Sequence, residues 1–484
     1  MMSAPRLLRN SKSILLSNTL FKDLQLEKIL SASTIAVLSR PCTQKEIIER
    51  NELFVLLEND ENLNRIEHTL STLISNEKAL QVLQDTKIPL ERYYRYADAF
   101  DAYLDACNAL VNMHEFGSLF ADVSNCYSAV EFSSHTANMK ESVLKIRELL
   151  KHLQDGLVSF ADKIWLTPNK NAASEFDNIA TCATNLGFSI PSKKKLQHTK
   201  PNFPLSDAIC RLHADVVRQI EIEIEKYADI DLYQPTVYIS EIKFFLEIRR
   251  LINRADKIGV PHCISQIANT PQYITTALCD ISLLAKNCHT IVPNDAEFTT
   301  NEPFCFLIGA NGGGKTTYLR AVGINLILFL AGCPIFAKQA EIYPFEIVLC
   351  HFPKDERFDN TGRLDEEKKR TDEMLKDAED KRAFLFFNET FSGTDDKKGF
   401  ELLKSTVDQI AENKFFGVYV THFHEVMSLD YPVLSAEVDF TNANKRTFRI
   451  VKSKGNASSY AADILKKYGL DKNSLAARRC TNGT

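Results

Sequence analysis

The chain is 484 residues long, 44% hydrophobic and 25% charged, with a formal net charge of −5. This is the make-up of an ordinary globular protein, with chain enough for roughly two to four domains, and it excludes a globally basic nucleic-acid binder, so any such surface is a local patch. The 12 cysteines are scattered, with no CxxC pair and no histidine at zinc-finger spacing, which favours free thiols in a reducing cytosol over a disulfide or zinc framework.

The N-terminal stretch MMSAPRLLRNSKSILLSNTLFK carries basic residues and serines and no acid before Asp23. A plain N-terminal segment and an organelle transit peptide are both open, with the plain segment favoured. Residues 20–155 are expected to be almost wholly helical. LFKDLQLEKILSAS repeats its apolar residues at steps of three and four, and Thr43 precedes an amphipathic run. RIEHTLSTLI keeps the period, and MKESVLKIRELLKHLQDGLVSFADKI is the longest periodic stretch of the first half. Near residue 165 the composition turns to Pro, Asn, Ser and Lys, so 165–204 reads as a loop-rich tip. Its Lys193, Lys194, Lys195 and Lys200 are candidate contacts to DNA phosphate, or a solvated loop. Helical period returns over about 205–258, which suggests a lever that runs out to the tip and back. From about 261, strands and helices alternate, the pattern of a mixed or parallel sheet flanked by helices. The nearest candidate for a membrane span, INLILFLAG at 324–332, is too short to cross a bilayer. No membrane association and a cytoplasmic location are therefore expected.

The strongest local signal is FCFLIGANGGGKTTYLRAVG, residues 304–323. Gly309 through Thr316 fit G-x-x-x-x-G-K-S/T between an apolar strand and a helix. Such a loop turns its backbone N–H groups toward phosphate, and the helix N-terminus adds positive potential. Gly309, Ala310, Asn311, Gly312, Gly313, Gly314, Lys315, Thr316 and Thr317 form the candidate ATP-binding set. Lys315 would reach the β- and γ-phosphates, and the Thr316 hydroxyl would ligate Mg2+. A second signal is AFLFFNETFSG, residues 383–393: an apolar strand ending in Asn388 and Glu389. It would lie beside the phosphate loop, with Glu389 as general base or water-orienting group, or else as a helix-cap or solvated acid. Asn388 stands where an ATPase usually carries a metal-holding aspartate. Its side-chain oxygen can still accept a hydrogen bond from a metal-bound water, without the negative charge. In FGVYVTHFHEV, residues 416–426, a strand ends at Thr421 and His422, where the histidine would meet the γ-phosphate or serve structure alone.

Several segments together resemble the MutS family of DNA-repair ATPases. GANGGGKTTYLRAVGINLILFLAGCPIFAKQAEI is similar to that family's phosphate loop and following helix, and VPND, residues 292–295, to the segment before it. NETFSGTD occupies the place of the family's Asp-Glu-Leu-Gly-Arg-Gly-Thr, and VTHFHE resembles its Thr-His-aromatic-His-Glu switch. SSYAADILKKYGL is similar to the Ser-Tyr-Gly helix that closes the family's ATPase domain, and LSRPCTQKEIIERNELFVLLENDENL to the start of its helical core. The likeness covers roughly 20–475 and is strongest over 290–425. It departs from the family at TGRLDEEKKRTDEML, residues 361–375, where no serine stands to reach a partner's γ-phosphate. Arg363 or Asp365 could act there, or the stretch is a helix start. Ile291 stands where the family places an adenine-stacking phenylalanine.

The resemblance implies an α/β ATPase domain, an ABC-like mixed sheet with flanking helices, preceded by a mainly α-helical core and lever. The expected layout is a helical core over 1–100, a lever over 101–258, the ATPase domain over 259–475 and a tail over 476–484. The length leaves no room for the family's N-terminal mismatch-reading and connector domains, so a short form is expected. The resemblance further implies ATP hydrolysis with Mg2+ and a homodimer, with closure by ATP as a hypothesis; Asn388 beside the retained Glu389 makes the expected hydrolysis slow but real. It implies a clamp on duplex, mismatched or branched DNA in repair or recombination. The other reading is an ATP-gated scaffold that acts on protein partners without touching DNA.

Overall fold

The computed structural model describes residues 5–9, 11–166, 207, 210–286, 288–353, 360–392, 396–438 and 446–453. Lys193, Lys194, Lys195 and Lys200, most of the expected tip, and SSYAADILKKYGL lie outside them. In chain order the first elements are α1 (Asn18–Asp23), α2 (Ala32–Leu38), α3 (Gln44–Leu56), α4 (Asp60–Asp85), α5 (Pro89–Val111), α6 (Gly117–Ser128) and α7 (Val130–Leu166). They are followed by α8 (Ala214–Glu225) and α9 (Tyr238–Asp256). Strands and helices then alternate: β1 (Gln266–Ile267), β2 (Tyr273–Leu278), β3 (Asn294–Phe298), β4 (Phe304–Ile308), α10 (Lys315–Leu330), β5 (Gln339–Ile342), β6 (Ile347–His351) and α11 (Asn360–Ala378). The last are β7 (Ala383–Asn388), α12 (Asp396–Glu412), β8 (Phe416–Val420), β9 (Val433–Val438) and β10 (Arg446–Lys452). Among the described residues no helix is long and apolar enough to cross a membrane, and the described cysteines are free thiols.

The chain forms two compact units. The first comprises the described residues within 1–7 and 55–243. Its helices start where the chemistry favours it. The Asn59 side chain accepts from the Glu61 and Asn62 N–H groups ahead of α4, and Pro89 opens α5, placing a residue without an N–H where none is needed. On α7, Met139, Val143, Ile146, Leu150 and Leu153 are buried. Their alternating steps of four and three keep one face inward. Phe100 of α5 meets the edge of Tyr227 at 5.5 Å. Glu223 of α8, also buried, accepts from Ser142 Oγ at 2.8 Å and pairs with Lys145 and Lys226, so its charge does not stand alone in the packed interior.

The second unit comprises the described residues within 8–54 and 244–484. Among the described residues it holds a six-stranded sheet in the order β10-β9-β4-β8-β7-β6 and a four-stranded sheet in the order β1-β5-β2-β3. In the larger sheet all pairings are parallel except β10 with β9. β4 and β8 are buried throughout, as is β7 up to Asn388. Their unbroken apolar runs are those of strands covered on both faces. The strand ending in Asn388 is not the neighbour of β4, because β8 stands between them. Gly417 sets the β7–β8 spacing, since a Cβ there would lie 2.2 Å from Leu385 O. Gly417→Ala is expected to destabilise this unit by about 1–3 kcal/mol through overpacking, read as a lower denaturation midpoint. An unshifted midpoint would show that the strands can part to admit the methyl.

Residues 8–54, assigned from the sequence to an N-terminal helical core, pack with this second unit. The reason lies in α10, which is buried along almost its whole length and so needs cover on every side. Leu24 closes on Gly323, where a Cβ would stand 2.9 Å from its Cδ2. Cys42 N–H donates to Leu330 O at 2.7 Å, and Arg50 Nη1 to Ala331 O at 2.8 Å. These donors satisfy carbonyls that a helix C-terminus leaves without intrahelical partners.

Candidate functional site

The glycine-rich loop leaves β4 at Gly309 and enters α10 at Lys315. Gly309 has φ 134°, and a Cβ there would stand 3.0 Å from Ala436 Cβ on β9. Gly314 has φ 99°. Both conformations are ones that side chains resist, and the absent Cβ lets neighbouring chain approach. Lys315 is 4% exposed. Its Nζ donates to Gly309 O at 2.7 Å and to Asn311 Oδ1 at 3.4 Å, and stands 3.8 Å from Glu389 Oε1. Burial lowers the ammonium pKa from the usual lysine range, and the Glu389 carboxylate opposes that shift.

β7 delivers the second group. Thr316 Oγ1 donates to Asn388 Oδ1 at 3.4 Å. Glu389 leaves the strand at φ 55°, its N–H donates to Val420 O at 2.8 Å, and its Oε1 lies 2.8 Å from His422 Nε2. A left-handed backbone at a residue other than glycine costs roughly 1–3 kcal/mol and persists where its surroundings fix it. His422 follows β8 and is 39% exposed. Lys315, Thr316, Asn388, Glu389 and His422, from three separate segments, thus meet at the carboxyl ends of parallel strands, where ligands bind in open α/β sheets. Thr316 and Asn388 present two neutral oxygens to one point. That suits magnesium, which takes few protein oxygens and keeps waters and phosphate oxygens for the rest.

Two further contacts bear on the loop and were not singled out in the sequence. Arg320, one turn beyond Thr317 on α10, donates to Thr317 Oγ1 at 3.4 Å and through Nε to buried Asp280 at 3.0 Å. Burial pushes the Asp280 carboxyl up in pKa, against the pull of Arg320 and Ser282. The i,i+3 spacing of Thr317 and Arg320 was visible beforehand; the distant aspartate was not. Phe448 of β10, 45% exposed at φ 57°, packs where a Gly314 Cβ would lie 3.6 Å away. Asn294 of β3 holds it there, with Nδ2 donating to Phe448 O at 3.1 Å and Oδ1 accepting from Ile450 N–H at 2.7 Å. TGRLDEEKKRTDEML lies within α11, with Asp365 exposed on it.

Residues 305–478 match the family model described as MutS domain V. Over this stretch the chain is similar to MutS domain V. Its similar relatives include the protein named Endonuclease MutS2 from Staphylococcus haemolyticus (strain JCSC1435), 28% identical over 190 residues, which are 38% of this chain and 24% of the relative. The protein of that name from Staphylococcus epidermidis (strain ATCC 12228 / FDA PCI 1200) is 27% identical over 201 residues, 40% of this chain and 25% of the relative. That from Staphylococcus aureus is 26% identical over 204 residues, 41% of this chain and 28% of the relative. The matched stretch thus spans about a quarter of the length of these relatives. The MutS domain V match contains all five converging residues and Phe448, whereas β1 to β3 and Asp280 precede it.

Proposed function

We propose that this chain, similar over 305–478 to MutS domain V, binds ATP in a P-loop formed by Gly309–Thr317 and hydrolyses it slowly. The observation that carries the reading is the meeting of Lys315, Thr316, Asn388, Glu389 and His422 at one end of the larger sheet. Backbone N–H groups of the loop and the Lys315 ammonium bind the β- and γ-phosphates. Glu389 takes a proton from, or orients, the attacking water, and His422 faces the γ-phosphate from the end of β8. Thr316 Oγ1 and Asn388 Oδ1 would hold magnesium, which would supply positive charge to offset that developing on the phosphates.

The wider reading is a homodimer whose ATP-dependent closure clamps duplex, mismatched or branched DNA in repair or recombination. The match to MutS domain V supports it, and Lys193, Lys194, Lys195 and Lys200 are its candidate phosphate contacts. Steady-state ATP turnover, with and without each of these DNAs, tests it. Turnover that DNA alters supports a DNA-coupled ATPase. Turnover indifferent to every DNA favours an ATP-gated scaffold for protein partners, and absent turnover with ATP still bound removes the hydrolytic role.

The asparagine yields its own prediction. A carboxylate would hold a metal-bound water more strongly than the amide oxygen does, by about 1 kcal/mol. Asn388→Asp is therefore expected to lower the magnesium concentration for half-maximal turnover roughly fivefold. A titration of turnover against free magnesium that superimposes on wild type would refute this account of Asn388.

A further inference from the structure

The turn that carries Glu389 is tied on several sides. Glu389 and Phe391 both have left-handed backbones, at φ 55° and 66°, with Thr390 between them. Val420 O accepts the Glu389 N–H, Tyr419 OH donates to Thr390 O at 3.2 Å, and Thr390 Oγ1 lies 3.0 Å from His351 Nδ1. Those ties come from β8 and β6, strands of the sheet itself. Another comes from a helix: Glu367 of α11, 6% exposed, accepts the Phe391 N–H through Oε2 at 2.9 Å. Two left-handed residues within three positions, neither of them glycine, are held by their surroundings and not by their own preference. The sheet ties reach Glu389 and Thr390, whereas Glu367 grips the far end of the turn.

We propose that Glu367 is a positioning residue for ATP hydrolysis: by fixing the Phe391 N–H it keeps the Glu389 carboxylate aimed at the attacking water. The proposal rests on the reading of Glu389 as base or water-orienting group. It makes the orientation of Glu389 answer to α11 as well as to its own strand. A displacement of about 1 Å at a reacting group costs on the order of 100-fold in rate, so a single backbone hydrogen bond at this point has leverage. The carboxylate serves here as an acceptor, and an amide oxygen can take its place.

The test uses the full chain with Glu367→Ala and Glu367→Gln. Glu367→Ala is expected to lower kcat about 10- to 100-fold with little change in the Kd for a fluorescent ATP analogue. Glu367→Gln, which keeps an acceptor oxygen, is expected to recover most of kcat. Hydrogen exchange of the peptide containing Phe391 is the readout independent of activity, and it should quicken in the alanine variant and not in the glutamine one. Unchanged kcat, unchanged exchange, equal loss of kcat and nucleotide affinity, or a glutamine variant as slow as the alanine one would each overturn the proposal. If the wild-type chain is inert while Glu367→Ala still exposes Phe391 N–H, the contact stands and the reading of Glu389 falls.

Discussion

Glu389→Gln is expected to lower ATP turnover by about 100- to 10,000-fold, the range over which a positioned general base contributes, while ATP still binds. The substitution preserves shape, so the left-handed turn and the Val420 contact of the Glu389 N–H have no steric reason to change. What it removes is the charge and the capacity to take a proton. In the structure that charge faces His422 at 2.8 Å and Lys315 at 3.8 Å. Taking a carboxylate away from a pocket that receives an anion removes repulsion toward the γ-phosphate, so affinity should hold or tighten. The pairing of lost kcat with retained binding is the signature of a group that acts in the transition state. Turnover within threefold of wild type would leave Glu389 as a partner for His422 and no more.

Lys315→Ala is expected to act on the other side of that division, by weakening ATP binding. Removing one member of a buried charged contact costs about 2–5 kcal/mol, which is roughly 30- to 5,000-fold in Kd. The residue is nearly enclosed, and its Nζ is already turned into the loop by Gly309 O and Asn311 Oδ1. A phosphate arriving there meets a cation that is in place and partly stripped of water, where its charge counts for more. The variant also leaves Glu389 without its nearby ammonium. Equilibrium binding of a fluorescent ATP analogue, beside a melting curve, separates lost affinity from lost fold. A folded Lys315→Ala chain with wild-type affinity would show that the backbone N–H groups hold the phosphates unaided.

Much of this site could be read before any coordinates, for local reasons. A tight turn between an apolar strand and a helix needs glycine, and Gly309 to Gly314 supply it between FCFLI and the helix that begins at Lys315. The five-residue apolar runs of β4 and β8 announce buried parallel strands by composition alone. The three- and four-residue steps of α7 likewise announce one buried face.

Other features depend on contacts between residues far apart in the chain, which no local pattern encodes. The placement of β8 between β4 and β7 is a choice of sheet order, and the same three apolar strands would read alike in any order. Arg320 finds Asp280 across 40 positions, and Phe391 finds Glu367 across 24. Residues 8–54 carry an ordinary helical pattern, yet they pack with the unit that holds the sheets, because a helix apolar on every side must be covered by whatever chain can reach it. Asn388 divides along the same line. The sequence by itself determined that an uncharged oxygen ends the strand. Only the tertiary structure decided that this oxygen meets the Thr316 hydroxyl at 3.4 Å, since that distance depends on how α10 packs across β7 when β8 stands between β4 and β7.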